Sequence, residues 1–243
     1  MRLHRFYIKE KVGDEEIIVL SDYDLIHQMK NVFRFNVGTE VLLFDNSGYE
    51  YLAVIVVLKN NQVQFQVIEK KDKRALVSNL PEVTLYASLI KKDHFEWIIE
   101  KATELGVSRI VPIVSERSEK KSLNIKRGIK ILIEASEQSG RVTLPELQNI
   151  QSLSDVIQGV TQQDEGNMNL ISIDPEGKKW SISEVDHLKN KSIGVFVGPE
   201  GGWSDRELAM FKEANIPIYN IGSQVLRAET AAIVITALLL LGK

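Results

Sequence analysis

The sharpest chemical signal in this sequence of 243 residues is Ile193-Gly194-Val195-Phe196-Val197-Gly198-Pro199-Glu200-Gly201-Gly202-Trp203-Ser204-Asp205-Arg206-Glu207. An apolar strand enters a loop built on Gly198, Gly201 and Gly202, and a helix leaves it. Ser204 with Glu207 three residues on is a capping box that fixes the helix start. Glycines let backbone N–H and C=O groups approach a ligand closely, and the carboxyl end of a strand in an α/β sheet is where ligand crevices form. A tight strand–helix turn is the plainer reading, but one glycine would satisfy it. Neither G-x-G-x-x-G nor G-x-x-x-x-G-K-[ST] is present, which removes support for a pyrophosphate cradle and for a Rossmann-type oxidoreductase.

A second loop has the same layout. Ile216 to Ile221 reads as a strand, and Gly222-Ser223-Gln224-Val225-Leu226-Arg227-Ala228-Glu229-Thr230 leads into the last helix. Arg227 and Glu229 beside a glycine loop either hold and orient a substrate, or form a structural ion pair with Glu229 favouring the helix N-terminus. Cations gather at Glu116-Arg117-Ser118-Glu119-Lys120-Lys121, with Lys126, Arg127 and Lys130 beyond and Arg141 following. With Arg5, His27, Lys30 and Arg34 they make either a solvated face or a surface that tracks phosphates.

Composition narrows the chemistry. There are 30 Lys+Arg against 33 Asp+Glu, a net charge of −3, which excludes a coat of positive charge but not a local basic groove. Cysteine is absent, which removes disulfides, thiolate nucleophiles, Cys-ligated zinc and iron–sulfur clusters together. His4, His27, His94 and His187 are too scattered for a local metal motif, so no metal is expected. The N-terminus has no apolar run that could serve as a signal-peptide core. The longest apolar run, Ala231 to Leu241 interrupted by Thr236, falls short of the roughly 20 residues that cross a bilayer. A cytoplasmic protein without a membrane partner is the expectation.

Elements that position these loops follow from periodicity. Strands are predicted at Glu16 to Leu20, Val41 to Asp45, Tyr51 to Leu58 and Gln62 to Ile68, where Val63, Phe65 and Val67 alternate with glutamines. Tyr23 to Phe33 reads as a short helix. Several short strands in so few residues point to a small closed barrel, which removes sheet edges. The polar stretch Glu69 to Arg74 reads as a linker. Beyond it, strands at Val83–Leu89, Arg109–Val114, Asn169–Ile173, Ser192–Val197 and Ile216–Ile221 alternate with helices at Asp93–Leu105, Ile125–Glu137, Ser204–Ala214 and Thr230–Leu240. That order predicts an α/β domain with a mostly parallel sheet. The final helix is apolar nearly all round, so it is either core or a subunit interface.

Taken in order, Glu100-Lys101-Ala102-Thr103-Glu104-Leu105-Gly106-Val107, Ser115-Glu116-Arg117-Ser118, Glu137-Gln138-Ser139-Gly140-Arg141, Gly198 to Gly202 and Leu226-Arg227-Ala228-Glu229-Thr230 resemble the bacterial RsmE family over nearly the full chain. These are SPOUT-class methyltransferases that methylate N3 of the uridine numbered 1498 in reference 16S rRNA. The resemblance implies a PUA-like β-barrel, residues 1–72, that helps bind RNA. It implies a SPOUT α/β domain, residues 73–243, whose last part is tucked into a deep C-terminal trefoil knot. S-adenosyl-L-methionine would be held largely by backbone at Gly198, Pro199, Glu200, Gly201, Gly202, Ile221, Gly222, Val225 and Leu226. A homodimer would place the site at the subunit interface, and the partner is the 16S rRNA of the small ribosomal subunit.

On that footing Arg5, His27, Lys30, Arg34, Arg117 and Arg141 are expected to contact RNA. Arg227 is the candidate for orienting or polarising the uracil or a neighbouring phosphate. Glu229 is the candidate for helping remove the N3 proton, with a structural role as its alternative. Phe33 and Lys91-Lys92-Asp93-His94 depart from the family pattern without touching the glycine loops. Competing expectations are a related SPOUT enzyme acting on another RNA or base atom, and a non-catalytic RNA-binding assembly factor; intact glycine loops argue against the latter.

Overall fold

The computed structural model describes residues 3–75, 81–163, 168–181 and 192–241. The chain divides into two compact units, Met1–Ser78 with Ser136–Thr143, and Asn79–Ala135 with Leu144–Lys243. His187 lies outside the described residues.

The first unit holds β1 (Arg5–Tyr7), β2 (Ile17–Leu20), α1 (Tyr23–His27), β3 (Glu40–Phe44), β4 (Tyr49–Leu58) and β5 (Val63–Asp72). Asp22 starts α1 by accepting from the Leu25 N–H at 3.1 Å, and the helix widens into a π-helical turn over Gln28–Val32. Strand order is β1-β3-β4-β5-β2, with β1 parallel to β3 and the other pairs antiparallel. Phe6, Ile18, Leu20, Leu43, Tyr51, Ile55 and Phe65 form its core, joined by Ile26 and Met29. Among the described residues the ladder is open, with the short β1 and β2 as its ends, so apolar side chains rather than a closed ring of backbone bonds seal the unit.

The expected linker is a strand. Glu69 to Asp72 continue β5 and pair with Tyr49 to Leu52. Cations on this stretch cover the half-buried ring of Tyr49: Lys70 Nζ sits 4.5 Å, and the Arg74 guanidinium carbon 4.7 Å, from its centre. A run of charge was therefore compatible with a strand whose partner supplies tyrosines.

The second unit contains β6 (Val83–Ser88), α2 (Lys92–Leu105), β7 (Arg109–Val114), α3 (Ile125–Ser139, whose last turn groups with the first unit), β8 (Glu146–Leu147), β9 (Gln151–Ser152), α4 (Leu153–Gln163), β10 (Met168–Lys179), β11 (Ser192–Val197), α5 (Asp205–Glu213), β12 (Ile218–Asn220) and α6 (Ala228–Leu241). Its parallel sheet runs β12-β10-β11-β6-β7-β8, with β9 also paired to β7. All of β6 is buried, as a central strand covered on both faces should be. Phe95, Ile98, Ile99 and Ala102 of α2, with Ala232, Ile235 and Leu239 of α6, cover one face. Leu153, Val156 and Ile157 of α4, with Phe211 of α5, cover the other. Gly106 ends α2 in the left-handed conformation, φ 109°. Strand β11 lies between β10 and β6, so the strand order reverses near the middle of the sheet; in such sheets ligands bind at the carboxyl ends beside that reversal.

Candidate active site

Three segments meet at the carboxyl ends of β10, β11 and β12. From β11 the chain turns at Pro199–Gly202, where the Gly202 N–H donates to the Pro199 carbonyl at 2.9 Å and Gly202 takes φ 67°. A side chain at Gly202 would be strained by that angle. Helix α5 then starts at Ser204 with both halves of the capping box formed. Trp203 is buried beneath the loop, donating through Nε1 to the Ile173 carbonyl at 3.1 Å and packing edge-on against Phe211. At Gly198 a Cβ would crowd this indole at 3.2 Å.

The second loop leaves β12 at Asn220. The third segment, Ile173-Asp174-Pro175, is an excursion within β10, where the pairing with β12 breaks between Ile173 and Lys178. Together they line a cavity of about 610 Å³ including its open mouth. Its walls include Gly198, Pro199, Glu200, Gly202, Ile221, Gly222, Val225 and Leu226. Ile173, Val197 and Ala231 give apolar walls, while Asp174, Glu200, Asn220 and Gln224 add polar groups. Mostly apolar walls with a few placed polar groups are the usual make-up of a small-molecule site.

Eight of the nine residues expected around the cofactor therefore line one cavity. Gly201 is not among its lining residues: its α-carbon faces Arg117, whose Cβ would stand 3.3 Å from any side chain there. Sequence reading missed Asp174, Pro175, Trp203, Asn220 and Gln224. The Asp-Pro-Glu-Gly run at 174–177 was the available signal, since it punctuates an otherwise apolar strand.

Arg227 is exposed and stands between Leu226 and Ala228, both of which line the cavity. Glu229 is buried, does not line the cavity, and places Oε1 3.6 Å from Nδ1 of His94. The expected RNA contacts divide by burial. His27 and Arg34 are exposed, and Lys30 donates to Asn60 Oδ1 at 2.6 Å. Arg5 is paired with the buried carboxylate of Glu50. Arg141 is largely buried and donates to the Thr143 carbonyl at 3.0 Å, and burial pulls its guanidinium down to about 10. Arg117 is exposed, and its Nη1 donates to the carbonyls of Gly201 and Trp203 at 2.9 and 3.0 Å. Among the described residues no group of three or more His, Cys, Asp or Glu could hold a metal, and no helix is long and apolar enough to cross a membrane.

Comparison with known proteins agrees with this architecture. The family described as RNA methyltransferase domain matches residues 78–240, and that described as RNA methyltransferase PUA domain matches residues 20–68. Ribosomal RNA small subunit methyltransferase E of Rickettsia conorii is 33% identical over 96% of this chain and 93% of its own length. The protein of the same name from Aquifex aeolicus is 30% identical over 98% of this chain and 99% of its own. The crystal structure of a Ribosomal RNA small subunit methyltransferase E from Neisseria gonorrhoeae bound to S-adenosyl methionine superposes with TM-score 0.84 at 26% identity, covering 97% of this chain and 96% of that one. With a parallel α/β domain, a PUA domain and relatives matched nearly end to end, this chain belongs to the RsmE family of RNA methyltransferases.

Proposed function

We propose that this chain is an S-adenosyl-L-methionine-dependent methyltransferase that methylates N3 of one uridine of 16S rRNA, the position numbered 1498 in the reference molecule. The observation that carries the reading is the cavity at the carboxyl ends of β10, β11 and β12, walled by residues of two glycine loops. Its residues fit the cofactor. Apolar walls beside glycines suit an adenine ring, and the carboxylates of Asp174 and Glu200 suit a ligand bearing a cationic sulfonium. When bound, the cofactor supplies an electrophilic methyl group.

The chain's own contribution is positioning. Holding acceptor and donor in line provides much of the acceleration in such a transfer, and no protein nucleophile is required, in keeping with a chain that has no cysteine. The uridine must leave any stack for N3 to reach the cavity. In this reading Arg227, exposed between the cavity-lining Leu226 and Ala228, polarises a uracil oxygen and so eases loss of the N3 proton, or holds the adjacent phosphate. Glu229 faces His94 instead, which favours its alternative role of fixing the start of α6.

Two finer features belong to the same proposal. The chain after β12 forms a deep trefoil knot: β12 sits at the sheet edge beside β10, yet α6 returns to pack on the other side of β11, against β6 and α2. The enzyme acts as a homodimer: Ile233, Val234, Ala237 and Leu238 of α6 are only half-buried and Leu241 is exposed, leaving an apolar flank for a second copy. Light scattering should give twice the chain mass; a monomer at assay concentration would remove the dimer. Calorimetry with S-adenosyl-L-methionine should show one molecule bound per chain, and absence of binding would remove the proposed reaction.

A further inference from the structure

Arg117 and its neighbour Glu116 have a shared geometry that an RNA contact does not account for. The turn Ser115–Ser118 is closed on itself: the Ser118 N–H donates to the Ser115 carbonyl at 3.1 Å, and the Ser115 N–H to Ser118 Oγ at 3.1 Å. Ser115 and Ser118 are both buried, so the turn is a fixed base for the two side chains between them. The Glu116 arm takes the start of α5. Its N–H donates to Glu207 Oε1 at 2.8 Å, and its Oε2 accepts from Ser204 Oγ at 2.6 Å. Ser204 and Glu207 are the two halves of the capping box, so Glu116 locks that box from outside.

The Arg117 arm takes the glycine loop. Nη1 donates to the Gly201 and Trp203 carbonyls, which uses both hydrogens of that nitrogen. The aliphatic stem lies across Gly201, where a Cβ would meet Arg117 Cβ at 3.3 Å and Cδ at 3.5 Å. Gly201 is thus small to admit the arginine, which is why this glycine stands outside the cavity wall. Its neighbours Glu200 and Gly202 both line the cavity.

We propose that Arg117 is a positioning residue for the cofactor loop, holding the backbone of Gly198–Trp203 in its binding shape, and is not a reader of RNA. This rests on the cavity being the S-adenosyl-L-methionine site. Hydrogen bonds from a charged donor are among the stronger ones in proteins, and a preset loop shape lowers the ordering cost that ligand binding would otherwise carry.

The test uses the full-length chain as wild type, Arg117→Ala and Arg117→Lys. Calorimetry should show Kd for S-adenosyl-L-methionine rising roughly tenfold or more in Arg117→Ala, with partial recovery in Arg117→Lys, whose ammonium can still donate to both carbonyls. KM for the cofactor should rise while kcat at saturating cofactor stays within about twofold, and affinity for small-subunit RNA should hold. Unchanged cofactor affinity with weakened RNA binding would overturn the proposal and return Arg117 to RNA recognition. A lowered melting temperature with no recovery by lysine would overturn it in favour of general stability. Wild-type protein that failed to bind the cofactor would sink the functional reading instead. The brace would then still be judged by faster amide exchange at Gly201–Trp203 in Arg117→Ala, and unchanged exchange there would count against it.

Discussion

Asn220 ties two walls of the cavity together: its Nδ2 donates to the Pro175 carbonyl at 2.6 Å, while its Oδ1 accepts from the Gly222 N–H at 2.9 Å. One side chain thereby sets the spacing between the β10 excursion and the second glycine loop. Asn220→Ala removes both bonds and leaves room for the loop to drift. Cofactor affinity measured by calorimetry should fall roughly tenfold, with the melting temperature little changed because the residue is only half-buried.

Gly177 lies where β10 rejoins β12, and a Cβ there would stand 2.6 Å from the Tyr219 carbonyl carbon and 2.8 Å from that of Ile218. Backbone cannot swing aside as a side chain can. Gly177→Ala should destabilise the protein by about 1–3 kcal/mol. Gly159 in α4 has nothing within 4 Å of its Cβ position, so Gly159→Ala should stabilise by about 0.5–1 kcal/mol. Urea unfolding of the two variants should move in opposite directions.

Arg227→Ala should reduce turnover much more than cofactor affinity, because the residue is exposed and its neighbours, rather than its own side chain, form the cavity wall. Steady-state kinetics beside calorimetry separates the two. Equal loss of both would mean that Arg227 serves the cofactor loop.

The Asp72 carboxyl is held at about 2, first by its side-chain bonds to Arg74 and then by the Arg74 backbone N–H. A carboxyl lowered on folding adds stability that is present above its unfolded value and is lost as pH falls through its folded one. Asp72→Asn should therefore be slightly less stable than wild type above the ordinary carboxylate range and match it only below about pH 2. The pair is exposed, so the difference should shrink in high salt. Melting curves across that pH range would check it.

The two glycine loops were legible because backbone approach to a ligand demands residue types that ordinary turns do not. Gly201 was legible as part of the motif but not in its role, since only the folded chain shows that its missing side chain makes way for Arg117. The Asp174–Pro175 wall was hidden for a related reason. The predicted strand ends at Ile173, yet Lys178 and Lys179 resume the ladder with Tyr219 and Asn220, a pairing set by tertiary contact. Arg5 and Arg141 read as cations free for phosphate, whereas the folded chain gives Arg5 the buried carboxylate of Glu50 and Arg141 a backbone carbonyl. Sequence counts charges, and burial decides which of them face outward.

The central claim is methyl transfer to N3 of a single uridine. Small subunits from cells lacking this modification, incubated with the protein and S-adenosyl-L-methionine, should gain one methyl group per particle, mapped by mass spectrometry to N3 of the uridine at reference position 1498. Transfer to a different nucleotide or base atom, or none from protein that binds the cofactor, would contradict the account.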